Sequence, residues 1–167
     1  MIRRMQAPTD GTAPTDAQPM AAIGPAGSAG AIPEPIRVLI VDAARRVRGA
    51  LSSLIDPAPG LALVGSVGHV AAAVDALETS APNVVVLDPK LPDVDAGRGL
   101  IRLVRGRWPA IGIVVLTWAD PLDPADREAP ADRYLAKTTA PTELIATLQS
   151  FASGRPHQPG PPQLGVQ

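Results

Sequence analysis

The chain has 167 residues, enough for one hydrophobic core but not comfortably for two. It contains 0 cysteines, which excludes disulfide, thiolate and zinc–thiolate chemistry, and its net charge of −1 gives no electrostatic footprint for nucleic acid. Apolar residues make up 46% but aromatics only 2%, so the core must be built from Val, Leu, Ile and Ala. No run of about 18 apolar residues offers a membrane span.

Residues 1–34 are rich in Ala, Pro, Thr and Gly and show no periodicity. Such a stretch cannot bury enough surface to offset the entropy of ordering, so a disordered leader is expected. Arg3 and Arg4 stand near the start, but Gly24, Pro25, Gly27 and Gly30 break up the apolar residues that follow. No signal peptide is read, and the cytoplasm is the expected compartment.

From Ile36 to Val41 the chain is apolar apart from Arg37, and it ends at Asp42; this reads as a first strand. A helix is expected over 44–55, with Val47, Leu51, Leu54 and Ile55 inward and Arg45, Arg46 and Arg48 facing water, closed by Asp56-Pro57. A second strand is expected over 61–64. His69, read as a solvated helix start, precedes a second helix marked by Val70, Val74 and Leu77 and stopped before Pro82. Val84 to Leu87 is a continuous apolar run between Pro82 and Pro89, as suits a strand buried on both faces, and it delivers Asp88 to its end. A third helix is expected over 99–107, with Leu100, Leu103 and Val104 inward and Trp108-Pro109 closing it. The run 111–116 ends at Thr117, and a short strand over 134–136 ends at Lys137. Between them, residues 119–132 hold three prolines and five acidic residues, so a fourth helix is expected to be shortened or irregular. A last helix begins near Pro141 and buries Leu144, Ile145, Leu148 and Phe151. Residues 153–167, which include His157, read as a Pro-rich flexible tail. The folded unit is thus expected over 35–152.

Strands alternating with helices imply crossovers and a parallel sheet, whose strand ends share one edge. Ligands bind at that edge, where the strand order switches. Asp42, Asp88, Thr117 and Lys137 all stand at such ends. Four unrelated turn caps explain this less well than one site. Two carboxylates at neighbouring strand ends favour a cation between them, and Mg²⁺ takes oxygen ligands of this kind. A carboxylate nucleophile, a metal, an ammonium and a hydroxyl suit acceptance of a phosphoryl group. The plainer reading of Lys137 is a surface ion pair with Asp88 or Asp42, which needs no phosphate.

The segments Ile36-Arg-Val-Leu-Ile-Val-Asp42, Leu87-Asp88-Pro-Lys-Leu-Pro92, Val114-Val-Leu-Thr117 and Tyr134-Leu-Ala-Lys137, followed by Pro141-Thr-Glu-Leu144, resemble the receiver domain of bacterial two-component response regulators in order and spacing. The resemblance spans roughly 36–152. It implies an α/β, doubly wound, flavodoxin-like fold with five parallel strands in the order 2-1-3-4-5. It also implies Asp88 as phosphoacceptor from a phosphohistidine on a sensor kinase or phosphotransfer protein. Asp42, Asp88 and the backbone carbonyl of Lys90 would hold Mg²⁺, Thr117 and Lys137 would bind the phosphoryl oxygens, and Thr117 and Tyr134 would form the switch. A downstream protein would read the change of state. No nucleic-acid partner is expected, because no helix-turn-helix follows the receiver-like stretch, and neither enzymatic activity nor a membrane partner is expected.

Four departures accompany the resemblance. Ala43 stands where the family has a second acidic residue, its main direct metal ligand, so the Mg²⁺ site is expected to be weak. Trp118 follows the threonine where a small residue is usual; packing over the sheet edge is preferred to covering Asp88. The glycine of the loop after Asp95 is shifted, as Ala96-Gly97. Prolines interrupt the usual signalling face. A stand-alone, degenerate receiver acting by protein contact is therefore the preferred expectation, with a fully phosphorylatable regulator as the alternative. A nucleotide- or flavin-binding enzyme on the same topology is disfavoured, because no phosphate-binding loop follows the first strand.

Overall fold

Five strands form the sheet: β1 (Ile36–Val41), β2 (Leu61–Val67), β3 (Val84–Leu87), β4 (Gly112–Thr117) and β5 (Arg133–Ala136). Every pairing is parallel, and the order is β2-β1-β3-β4-β5. This is the doubly wound, flavodoxin-like arrangement the sequence implies. Among the described residues the helices are α1 (Arg45–Ile55), α2 (Val70–Ser80), α3 (Val94–Arg107) and α4 (Pro141–Gln149), with a 3-10 turn at Ser150–Ser153. The computed structural model describes residues 34–118 and 130–153. The leader expected over 1–34 apart from its last residue, most of the expected tail with His157, and the bulk of the segment expected to form a shortened or irregular fourth helix therefore lie outside the described residues. Among the described residues, no helix is long and apolar enough to cross a membrane.

The central strands carry apolar side chains on both faces because helices cover both. Leu39 and Val41 of β1 join Val85, Leu87, Ile113 and Val115 beneath α2 and α3. Val38 and Ile40 join Val84, Val86 and Val114 beneath α1 and α4, where Leu51, Ile55, Leu144 and Leu148 meet them. Two-residue alternation explains why one unbroken apolar run serves two layers. Each fully buried Val, Leu or Ile contributes about 1.5–3 kcal/mol, so an aliphatic core compensates for the scarcity of aromatics.

Several boundaries differ from expectation. β2 runs to Val67 rather than stopping at 64, because a register shift between Val38 and Leu39 absorbs one extra residue and lets pairing resume at Gly65. α3 begins at Val94, five residues before the expected start. Its N-cap is Asp93, whose Oδ1 accepts the Ala96 N–H at 2.9 Å. Phe151 lies beyond α4 in the 3-10 turn and packs, half-buried, on the core from there. His69 is exposed, as expected, but also caps α2, its Nδ1 accepting the Ala72 N–H at 3.2 Å. Leu103 is an exposed residue of α3 rather than an inward one.

The chain returns to the sheet at Asp132, which is clamped on three sides. Its Oδ2 accepts from Arg105 Nη2 at 2.6 Å and from the Ile113 N–H at 2.7 Å, and its own N–H donates to the Ile113 carbonyl at 2.9 Å. Arg105 also donates from Nε to the Pro130 carbonyl. This clamp sets the start of β5. Arg105→Met is expected to destabilise the fold by about 2 kcal/mol, since it removes charge-assisted bonds from a mostly buried carboxylate. Chemical denaturation measures this; an unchanged midpoint would show that the Ile113 amide alone satisfies Asp132.

Candidate acidic pocket

Three backbone hydrogen bonds extend the sheet ladders past the strand ends and fix the chemistry-bearing residues. The Asp42 N–H donates to the Val67 carbonyl at 3.1 Å, the Asp88 N–H to the Val41 carbonyl at 2.9 Å, and the Lys137 N–H to the Thr117 carbonyl at 2.7 Å. Asp42, Asp88, Thr117 and Lys137 therefore leave the sheet from the same edge, at the ends of β1, β3, β4 and β5.

Lys137 joins the two aspartates. Its Nζ lies 2.5 Å from Asp42 Oδ2 and 2.5 Å from Asp88 Oδ2. The Lys137 and Asp42 side chains are each 3% exposed and that of Asp88 is 13% exposed. This is no surface ion pair, the plainer reading of Lys137; it is a buried triad. The other carboxylate oxygens are also engaged. Asp42 Oδ1 accepts the Ala44 N–H at 2.7 Å, and Asp88 Oδ1 accepts the Lys90 N–H at 2.8 Å. Each carboxylate thus caps its own turn and meets the shared ammonium, so capping and site formation are the same geometry here.

The remaining residues fall around this triad. Thr117 is buried at the end of β4, paired in register with Ala136. Tyr134 is half-buried in β5 and packs on the α2/α3 side of the core, in register with Val115. Lys90 is exposed, and its backbone lies against Asp88. Ala43 is exposed and brings no third carboxylate.

Three expectations are corrected. Trp118 does not pack over the sheet edge; it is 67% exposed. Its ring centre lies 5.8 Å from Lys137 Nζ, a cation–π contact at the outer limit of that interaction. Arg48 does not simply face water: its Nη1 donates to the carbonyls of Asp42 at 2.6 Å and Ala43 at 3.0 Å. Gly97 was read only as a displaced loop glycine. It lies inside α3, buried against the backbone of Pro89. The pair of glycines with one residue between them, Gly97 and Gly99, was the available signal.

The donors suit a magnesium ion in kind, being hard oxygens on two adjacent strand ends beside the Lys90 backbone. They are few in number. Among the described residues, no group of three acidic or histidine side chains is placed to hold a metal.

The sequence profile described as the response regulator receiver domain matches residues 38–149. The response regulator UvrY of Escherichia coli is 30% identical over 122 residues, covering 72% of this chain and 56% of UvrY. The DNA-binding transcriptional activator DevR/DosR of Mycobacterium tuberculosis is 32% identical over 123 residues, again 72% of this chain and 56% of the relative. The chain thus spans a little over half the length of these two regulators. Among solved structures, a LuxR-family two-component response regulator from Aurantimonas sp. superposes with a TM-score of 0.65 at 28% identity, covering 73% of this chain and 88% of that one. The receiver domain of NarL from Mycobacterium tuberculosis superposes at 0.64, covering 74% of this chain and all of the other; at 23% identity it speaks for the fold alone.

Proposed function

The chain belongs to the response regulator receiver domain family, and from that premise we propose that it is a signalling module whose acidic pocket takes up phosphate poorly. Its proposed donor is a phosphohistidine on a sensor kinase or phosphotransfer protein, and a downstream protein reads it by contact. Asp88 is the proposed acceptor. A carboxylate oxygen of Asp88 forms a bond to phosphorus while the bond from phosphorus to the donor imidazole nitrogen breaks. The imidazole keeps that electron pair and takes up a proton. Lys137 would turn its ammonium to the phosphoryl oxygens, and Thr117 would offer its hydroxyl. Asp42, Asp88 and the Lys90 carbonyl would hold a magnesium ion, which when bound offsets charge on those oxygens.

The observation that carries the impairment is the charge count at the rim. Two carboxylates already share one buried ammonium, and Ala43 adds no acid to draw in a divalent cation. The opposite reading, a fully phosphorylatable regulator, is favoured by the direct contact of Lys137 with Asp88 and by Thr117 at the neighbouring strand end.

Phosphorylation with a small-molecule phosphodonor across a magnesium titration separates the two. Weak or absent labelling of Asp88 is expected, and Mg²⁺-dependent beryllofluoride binding at ordinary concentrations would favour the phosphorylatable regulator. Ala43→Asp is expected to tighten Mg²⁺ binding by about tenfold, because affinity at such sites follows the charge count of the ligands. An unchanged Mg²⁺ titration of Trp118 fluorescence in that variant would count against Ala43 as the weak point.

A further inference from the structure

Arg48 stands outside the ion-paired triad, yet it is tied to the turn that carries Asp42. It is the fourth residue of α1, where the helix dipole disfavours a cation. There it gives Nη1 to two carbonyls of the β1–α1 turn, those of Asp42 and Ala43. The guanidinium rests on Gly68, the first residue after β2. A Cβ built on Gly68 would lie 2.8 Å from Nη1 and 3.2 Å from Cζ of Arg48. Gly68 does not occupy the left-handed region. The backbone does not require glycine there; a Cβ would instead displace the guanidinium.

The turn that Arg48 grips has few other ties. Ala44, at the N-cap of α1, offers no side-chain acceptor, and the first turn of the helix holds no acidic residue. Ala43 has no side chain with which to anchor the loop. The geometry of the turn nonetheless decides whether Asp42 Oδ1 meets the Ala44 N–H and Oδ2 meets Lys137.

We propose that Arg48 is a positioning residue: seated on Gly68, it holds the carbonyls of residues 42 and 43 and thereby fixes the Asp42 carboxylate in the pocket. The proposal rests on the reading of Asp42 as a member of that pocket. It does not depend on whether Asp88 accepts phosphate. Its spectroscopic reporter is the Ala44 amide, which donates to Asp42 Oδ1.

The test compares amide proton shifts and hydrogen exchange by NMR in the full chain, in Arg48→Met, in Gly68→Ala and in the double variant, without metal. Both single substitutions are expected to speed exchange at Ala44 by about tenfold, the scale of one charge-assisted hydrogen bond, and to move its proton upfield. The Val85 and Val86 amides in the central strand are expected to keep their rates. Gly68→Ala is expected to add nothing once Arg48 is gone, since its Cβ then has no guanidinium to displace. Unchanged Ala44 exchange in both single variants, additive effects in the double variant, or equal acceleration at Ala44, Val85 and Val86 would each overturn the proposal. Ready phosphorylation of Asp88, which would sink the reading of an impaired pocket, leaves this readout intact, so the two readings fail separately.

Discussion

Lys137→Met is expected to lower the unfolding free energy by about 3–5 kcal/mol, the usual result of removing one partner from a buried ionic cluster. The loss is large because the ammonium serves two carboxylates at once, and methionine keeps the length of the stem without the charge. Asp42 and Asp88 would be left facing each other in a site where all three side chains are nearly closed to solvent. A second change should recover much of the loss. Asp42→Asn in the Lys137→Met background removes one of the opposed charges, and a double-mutant cycle measures the coupling. Magnesium supplies a further arm. If the carboxylates can hold the ion, it should raise the unfolding midpoint of Lys137→Met more than that of the unaltered protein, because it binds the folded state in place of the missing cation. Thermal unfolding with and without the metal measures both effects. A variant as stable as the parent would mean that the triad contributes no net stability.

Gly97→Ala is expected to be comparably damaging, through sterics rather than charge. A Cβ at residue 97 would stand 1.9 Å from the carbonyl oxygen of Pro89, 2.5 Å from its carbonyl carbon and 3.0 Å from its Cα. All three are backbone atoms, so no rotamer change relieves the clash. Either the first turn of α3 moves away from the sheet or the turn after Asp88 moves with it. Overpacking of this kind costs about 1–3 kcal/mol when side chains can yield, and the upper end or more is expected where only the main chain can. The damage should also reach the site, because Pro89 follows Asp88 directly and the Lys90 N–H holds Asp88 Oδ1. Denaturation midpoints together with the Lys90 amide shift test this. Loss of stability with an unmoved Lys90 signal would show that α3 alone gives way.

The strands and the meeting of Asp42, Asp88 and Lys137 were legible because each apolar run ends on a polar residue. Parallel connectivity then leaves those ends no other edge to occupy. What escaped was set by partners distant in the chain. Gly97 was expected in a loop and Gly99 at the start of the third helix, whereas close approach to Pro89 explains the first and Asp93 has already opened the helix. Arg48 looked like one of three solvated arginines, and only the folded turn shows that its side chain curls back to its own carbonyls. The orientation of Trp118 depends on what covers the end of β4, and the residues that follow it offer no apolar pattern from which to judge. The boundary of β2 was misplaced because a bulge leaves no compositional mark of its own.

β5 is an outermost strand, four residues long and only half-buried, while Asp42 and Asp88 hang from interior strands. The positive charge of the cluster is therefore mounted on a short edge strand and the two negative charges on interior ones. Fraying of that margin would carry the ammonium away and leave the two acids where they are, so the electrostatic state of the rim is coupled to the mechanical integrity of its border. A binding protein that grips or peels the border could reset the charge of the cavity without touching either aspartate.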